Sequence, residues 1–116
     1  MRKTDKKIDN KVRCVLTEVC EIALKDIDGF VWLTHLVRYS NFPSSLKVVC
    51  VFDTNDSLSV FMSQKMHITL NALIGSKLKE ADVEVKNIMD HVFYDTQQNC
   101  EKEHNGQWAK RLEYSS

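Results

Sequence analysis

The chain has 116 residues, of which 43% are hydrophobic and 28% charged, the composition of an ordinary single globular domain. Its formal net charge is zero, which excludes a protein that coats nucleic acid through uniform positive charge. No apolar run approaches the ~20 residues of a membrane span, and no apolar stretch follows the basic start as in a signal peptide, so we expect a cytoplasmic protein with reduced cysteines.

The first predicted element is a helix over residues 5–26, because apolar residues recur there at spacings of three and four. The stripe consists of Ile8, Val12, Val15, Leu16, Val19, Ile22 and Ala23. Cys14 and Cys20 lie in the same segment, and we interpret both as small packing residues of the helix. Asp28-Gly29 is expected to end it, since glycine tolerates a positive φ.

Two strands are predicted next. Residues 30–39 are rich in β-branched and aromatic residues, and residues 46–52 alternate between two faces. The connecting segment, residues 40–45, contains the only proline of the chain, Pro43. Two strands joined by so short a loop are most simply an antiparallel hairpin.

A long helix is predicted over residues 57–80, with short polar acceptors at 53–56 that suit its first turn. Its apolar residues again recur at helical spacing. Gly75 interrupts the pattern near the end. It is either a tolerated glycine close to the helix end, or a kink that starts a second short helix and exposes amide groups for an anion.

The rest of the chain is less regular. Residues 81–87 are a charged loop or an irregular strand, residues 88–94 are a predicted strand, and residues 97–104 are a polar helix. Residues 107–114 form a last amphipathic turn or two. We therefore predict an α+β fold of two layers: a small sheet with two main helices on one face, in the order α-β-β-α-β with a helical C-terminal tail. The predicted division is a domain over residues 1–96 and a short helical tail over residues 97–116, which packs on the domain or extends from it.

Charge is unevenly distributed along the chain. Residues 1–13 hold six basic and two acidic residues, whereas residues 80–103 hold seven acidic and two basic ones. This layout permits a basic docking face, although solvated helix ends explain it equally well. The candidate nucleic-acid-binding residues are Lys3, Lys6, Lys7, Lys11 and Arg13, with Lys77 and Lys79 near the end of the long helix.

The sequence contains no phosphate-binding glycine loop, nucleophile elbow or paired zinc knuckle. Cys100 and His104 are four residues apart and share a helix face, but a structural zinc site takes about four ligands. Thiol catalysis by Cys100 also needs a base and a pocket. We therefore expect a protein that is not an enzyme and has no cofactor and no metal site. Trp32 and Trp108 are interpreted as core or tail-docking residues, with base stacking as the alternative for Trp108.

The predicted order resembles that of ribosome-binding factor A, a bacterial protein with a KH-like fold of the second topological type. The resemblance covers roughly residues 8–96. It depends on a long opening helix, a hairpin, a broken helix around residues 70–78 (Leu-Asn-Ala-Leu-Ile-Gly-Ser-Lys-Leu), and a closing strand containing Val92-Phe93-Tyr94-Asp95. It implies docking on structured RNA or the ribosome.

A second resemblance covers the whole chain. The sequence is similar to a small bacterial family often labelled Fis-family transcriptional regulators, most distinctively over residues 95–108 (Asp-Thr-Gln-Gln-Asn-Cys-Glu-Lys-Glu-His-Asn-Gly-Gln-Trp). The label implies DNA binding. We thus expect a binding module for structured RNA or the ribosome. The alternatives are a homodimeric protein-interaction module, with the hairpin edge and the Trp108 tail as its exposed elements, and a DNA-binding regulator.

Overall fold

A computed structural model describes residues 3–115 and the side chains of residues 3–113; Met1, Arg2 and Ser116 lie outside the described residues. The helices are α1 (Lys3–Asp26), α2 (Asn55–Ser63), α3 (Met66–Glu80), α4 (Gln97–His104) and α5 (Trp108–Ser115). The strands are β1 (Phe30–Leu36), β2 (Lys47–Phe52) and β3 (Val92–Thr96). The predicted α+β class is confirmed, with a three-stranded sheet and a helical tail.

The three strands form one sheet in the order β1-β2-β3. The predicted hairpin is confirmed, because β1 and β2 pair antiparallel, with Leu33 opposite Cys50 and His35 opposite Val48. The third strand runs parallel to β2, which is possible because α2 and α3 form the crossover between them. Within residues 3–115, no helix has the length and apolarity to cross a membrane.

One face of the sheet packs against α1, α2 and α3 and holds the core. The stripe of α1 buries Val12, Leu16, Val19 and Ala23, as its spacing predicts. These residues meet buried side chains from β2, α2 and α3, namely Val48, Cys50, Phe52, Phe61, Leu70, Ile74 and Leu78. Two details of the α1 prediction are wrong: Ile22 and Cys14 are both exposed, because they lie outside the arc that faces the sheet.

The break in the long helix is not at Gly75. It lies at Gln64 and Lys65, where Lys65 adopts a left-handed φ of 58° and α3 starts in a new direction. Gly75 is inside α3, and Ile88 packs over it: a β-carbon added at Gly75 would lie 3.5 Å from Ile88 Cγ1. The predicted single helix over residues 57–80 is therefore wrong, and of the two alternatives for Gly75 the structure shows the tolerated glycine rather than the kink.

Two predicted strand ends also differ. The first strand ends at Leu36 rather than residue 39, because Arg38 exchanges backbone hydrogen bonds with the Ser45 hydroxyl and a short 3-10 turn follows at Tyr39–Asn41. The last strand starts at Val92 rather than residue 88. Its predicted beginning is a 3-10 turn, Ile88–Asp90, in which the Asn87 side chain accepts a hydrogen bond from the backbone of Met89.

The second face of the sheet is covered at one end by the tail. Helix α4 follows β3 directly, and its buried Cys100 fixes it to the domain. Helix α5 then crosses the sheet, with the Trp108 ring edge-on to that of Trp32 at 4.9 Å between centroids. Val49 and Val51 are buried on this face, whereas Phe93 remains 44% exposed beyond the tail, with the Lys47 ammonium over its ring.

Candidate functional site

Three lysines form an exposed group at the start of α1. Lys3, Lys6 and Lys7 are spaced so that they lie on the side of the helix opposite its buried stripe. All three are exposed, and the exposed Asn10 and Cys14 continue the same side. We call Lys3, Lys6 and Lys7 the α1 lysine face. Asp5 and Asp9, the only acidic residues among residues 1–13, lie on the other side of the helix.

Lys11 and Lys77 belong to a different environment, because α1 and α3 pack side by side in opposite directions. Lys77 Nζ lies 2.8 Å from Glu18 Oε2 and 3.5 Å from Glu80 Oε2, and Lys11 Nζ lies 3.8 Å from Asp82 Oδ2. The hydrogen bond to Glu18 raises the pKa of Lys77, so it stays charged but is neutralised locally. Lys77 thus joins α3 to α1, and Lys11 lies near the turn that follows α3.

The remaining two candidates are also separated. Arg13 points to the β1 side of α1, where its Nη2 donates to Asp9 Oδ2 at 3.0 Å while most of its side chain stays exposed. Lys79 is exposed near the end of α3. The seven predicted residues therefore do not form one surface. Three make an exposed basic face, and three others make ion pairs with neighbouring carboxylates.

Sequence reasoning missed a polar cluster between α1 and β1. The carboxylate of Asp9 accepts hydrogen bonds from the Tyr39 hydroxyl, from Arg13, and from His35 Nε2 at 2.9 Å. Asp9 is buried, with only 12% of its side chain exposed. We call Asp9, Arg13, His35 and Tyr39 the Asp9 cluster. A signal for it was available: Asp9 lies three and seven residues before Val12 and Leu16, so the apolar stripe extended backwards includes an acid.

The Asp9 cluster borders an open groove of about 660 Å³ between α1 and β1. Its floor is apolar, with Leu16, Leu33 and Val37, and the Cys20 thiol and the Thr17 side chain line one wall. Burial raises the pKa of a carboxyl group, but at Asp9 the hydrogen bonds from Tyr39 and His35 and the charge of Arg13 outweigh it and hold the pKa below its ordinary value. Burial and the bond to Asp9 raise the pKa of Tyr39.

The donors of the Asp9 cluster therefore all stabilise one group, the ionised carboxylate of Asp9. Tyr39 keeps its proton at neutral pH, and His35 directs a ring nitrogen at Asp9. This arrangement ties the start of α1 to the end of β1 and explains why an acid is tolerated inside the helix interface.

The Cys100 and His104 pair is held apart from the groove, in the tail. Cys100 is fully buried, and burial raises the pKa of its thiol. His104 Nδ1 lies 3.2 Å from Arg111 Nη1. Among residues 3–115, no three His, Cys, Asp or Glu side chains come together as metal ligands would.

Arg111, in the tail, has only 13% of its side chain exposed. Its Nε and Nη2 donate to the two oxygens of Asp95 at 2.6 and 2.9 Å, and its Nη1 donates to Glu103 at 3.0 Å. These hydrogen bonds raise the pKa of Arg111. The guanidinium of Arg111 is thus directed at Asp95 of β3, whereas the neighbouring Lys110 of α5 is exposed.

Comparison of the chain with protein-family models, with curated proteins and with solved structures gives no match. The resemblances to ribosome-binding factor A and to the Fis-labelled family stay predictions. The candidate surfaces are therefore judged on their own geometry. By exposure and charge, the α1 lysine face is the strongest candidate for binding, and the groove beside β1 is the second.

Proposed function

We propose that this protein is a non-enzymatic binding module that docks on structured RNA or the ribosome through the α1 lysine face. The observation that carries the proposal is that Lys3, Lys6 and Lys7 are exposed on one side of α1, opposite its buried stripe. Phosphate groups on an RNA backbone are the partners that a short run of exposed lysines fits best.

The order of the elements also supports this function. A long opening helix, an antiparallel hairpin, an interrupted helix and a closing strand follow one another along the chain, and these are the features on which the resemblance to ribosome-binding factor A depends. The interruption lies at Lys65, whereas residues 70–78, where the resemblance places it, are continuous helix within α3.

The geometry narrows the set of phosphate-contacting residues. Lys77 Nζ is held 2.8 Å from Glu18 with 22% of its side chain exposed, so we assign Lys77 to the fold, whereas Lys11, in a 3.8 Å pair between exposed side chains, stays a secondary candidate. Arg13 retains exposed donors beside Asp9 and can extend the contact on the β1 side. Lys79 is exposed at the end of α3 and stays a secondary candidate.

The test is a fluorescence titration of labelled total ribosomal RNA with the wild-type protein and with Lys6→Glu/Lys7→Glu. We expect the double variant to raise Kd at least about tenfold and to reduce the slope of log K against log salt by about two. The matched control is Lys102→Glu/Lys110→Glu, which changes the same net charge at exposed positions of the tail.

Each other outcome has a meaning. Unchanged affinity of Lys6→Glu/Lys7→Glu contradicts the assignment of the α1 lysine face. Equal loss in both double variants contradicts a specific face and leaves only attraction by net charge. Tighter binding of an unlabelled DNA duplex than of the RNA favours the alternative function, a DNA-binding regulator.

A further inference from the structure

The face of the sheet turned away from α1, here the outer face, carries an accessible aromatic ring. Val49 of β2 lies between two core residues and so faces outwards, and Phe93 of β3 is its partner in the register. Helix α5 packs on the outer face near Trp32, and 44% of Phe93 stays exposed beyond it. The Phe93 ring is therefore available to a partner at the surface of the sheet.

Two basic side chains continue from this ring towards the end of the hairpin. Lys47 Nζ lies 5.7 Å from the centroid of the Phe93 ring. Lys47 and Arg38 then line one open cavity of about 410 Å³, whose other lining residues, Leu36, Val37, Asn41 and Ser45, include no acid. Arg38 is exposed, and among residues 3–113 no carboxylate forms an ion pair with it. Its guanidinium is therefore available to an anion.

A second cavity, of about 510 Å³, adjoins the first at Lys47. Phe93 and Val49 line it, so its surface beside the ring is apolar. Of the described residues that line it, only Asp95 is acidic, and both carboxylate oxygens of Asp95 accept hydrogen bonds from Arg111. The two cavities together have an aromatic ring at one end and an exposed guanidinium at the other.

We propose that Arg38, Lys47 and Phe93, which we call the Phe93 surface, bind an unpaired nucleotide of an RNA strand. The base stacks on Phe93 and the phosphate lies at Arg38, with the charge of Lys47 between them. A nucleotide joins a flat base to an anionic phosphate, so each of its parts matches one cavity. The base must be unpaired, because a base inside a duplex does not present its face. Both cavities are open, which suits a continuous strand better than an enclosed free nucleotide.

This inference rests on the proposed function only in taking RNA as the partner. The Phe93 surface lies on the outer face of the sheet, whereas α1 packs on the other face and directs the α1 lysine face away from the sheet. The two surfaces also recognise different features: lysines attract the phosphates of any strand, whereas an aromatic ring selects unpaired bases. The Lys6→Glu/Lys7→Glu variant therefore reports on the Phe93 surface alone.

The test is a titration of fluorescently labelled single-stranded oligoadenylate RNA with the wild-type protein and two variants. Phe93→Leu keeps an apolar side chain but removes the ring, and should raise Kd at least about fivefold without changing the slope of log K against log salt. Arg38→Gln should reduce that slope by about 0.7, the value for one phosphate contact on a single strand. The controls Val60→Ala and Lys102→Gln, at exposed positions elsewhere, should leave Kd unchanged.

NMR of the side chains supplies a readout that does not depend on the variants. With oligoadenylate, the ring signals of Phe93 and the guanidinium signal of Arg38 should both shift. Inorganic phosphate should shift only the Arg38 signal. A duplex of oligoadenylate with oligouridylate should leave the Phe93 ring signals in place, because its bases are paired.

Four results overturn the proposal. The first is wild-type affinity of Phe93→Leu for oligoadenylate. The second is an equal shift of the Phe93 ring signals by the duplex and by the single strand. The third is an equal shift by adenosine monophosphate at the same concentration, which makes the surface a site for free nucleotides. The last is a shift with an acidic peptide and none with RNA, which makes it a protein-binding surface.

The same measurements separate this proposal from the proposed function. Lys6→Glu/Lys7→Glu that binds ribosomal RNA like the wild type, but whose Phe93 ring signals still shift with oligoadenylate, contradicts the α1 lysine face and supports the Phe93 surface. Loss of ribosomal RNA binding in that double variant, with ring signals of Phe93 that do not respond to oligoadenylate in the wild type, supports the α1 lysine face and contradicts the Phe93 surface.

Discussion

The lysines at the start of α1 and Arg111 in α5 carry the same charge in opposite circumstances. Lys3, Lys6 and Lys7 are exposed, with Asp5 and Asp9, the acidic residues of the same part of α1, on the other side of the helix. Arg111 has only 13% of its side chain exposed and donates to Asp95 and Glu103. The difference shows that a buried, paired basic side chain stabilises the fold, whereas an exposed one is available to bind a partner. Substitutions should separate the two uses.

The largest loss of stability is expected from Arg111→Met. The substitution leaves Asp95 without the two hydrogen bonds that hold it beneath the tail, and breaking one side of an enclosed ion pair costs about 3 kcal/mol. Urea denaturation measures it. The neighbouring exposed Lys110→Met should change the free energy of unfolding by less than about 0.5 kcal/mol. Equal changes in the free energy of unfolding for the two substitutions would contradict a structural role of Arg111.

Asp9 is expected to come next. Asp9→Ala removes the acceptor shared by Tyr39, His35 and Arg13 and should cost about 2 kcal/mol of unfolding free energy. Because the folded pKa of Asp9 lies below its ordinary 3.8, its stabilisation is complete above about pH 4 and is lost as the pH falls through the folded value. Asp9→Asn should therefore flatten the acid limb of the stability profile, whereas the exposed Asp26→Asn should not. An unchanged acid limb in Asp9→Asn contradicts this account.

Lys77→Met should have a smaller effect. Its ion pairs with Glu18 and Glu80 lie at the surface, where salt screens them, so the loss of stability should be slight and should disappear at high salt. Thermal unfolding at two salt concentrations measures it, with Lys79→Met as the control. A loss of stability that persists at high salt would contradict this account, because Lys77 would then behave as a buried ion pair like that of Arg111.

The sequence predicts the elements of this fold well where one face of an element is buried. The apolar stripe of α1 predicts its buried face, apart from Ile22, and the alternation in β2 predicts which residues face the core, although both faces of this strand are buried. The break at Lys65 could not be predicted in this way. Neither glycine nor proline marks it, and Met62, Met66 and Leu70 keep a helical spacing of four across it. It arises because Phe61 packs on Phe52 and Tyr94, whereas α3 packs along α1.

The candidate site divides in the same manner. The helical spacing in the sequence places Lys3, Lys6 and Lys7 opposite the apolar stripe of α1 and so predicts that they are exposed. The pairing of Lys77 with Glu18 depends on which helices pack together, whereas Arg13 lies four residues after Asp9 on the same helix and their pairing is local. The other two partners of Asp9, His35 and Tyr39, are 26 and 30 residues away in the chain, so no local pattern predicts them.

The most direct test of the central claim is sedimentation of tagged protein from cell lysate on a gradient, with and without ribonuclease, for the wild type and for Lys6→Glu/Lys7→Glu. The account predicts that the wild type moves with ribosomal particles, that ribonuclease releases it, and that the double variant stays at the top although it unfolds at the wild-type temperature. Wild-type protein that sediments as a small, ribonuclease-indifferent species, or a double variant that sediments like the wild type, would contradict docking through the α1 lysine face.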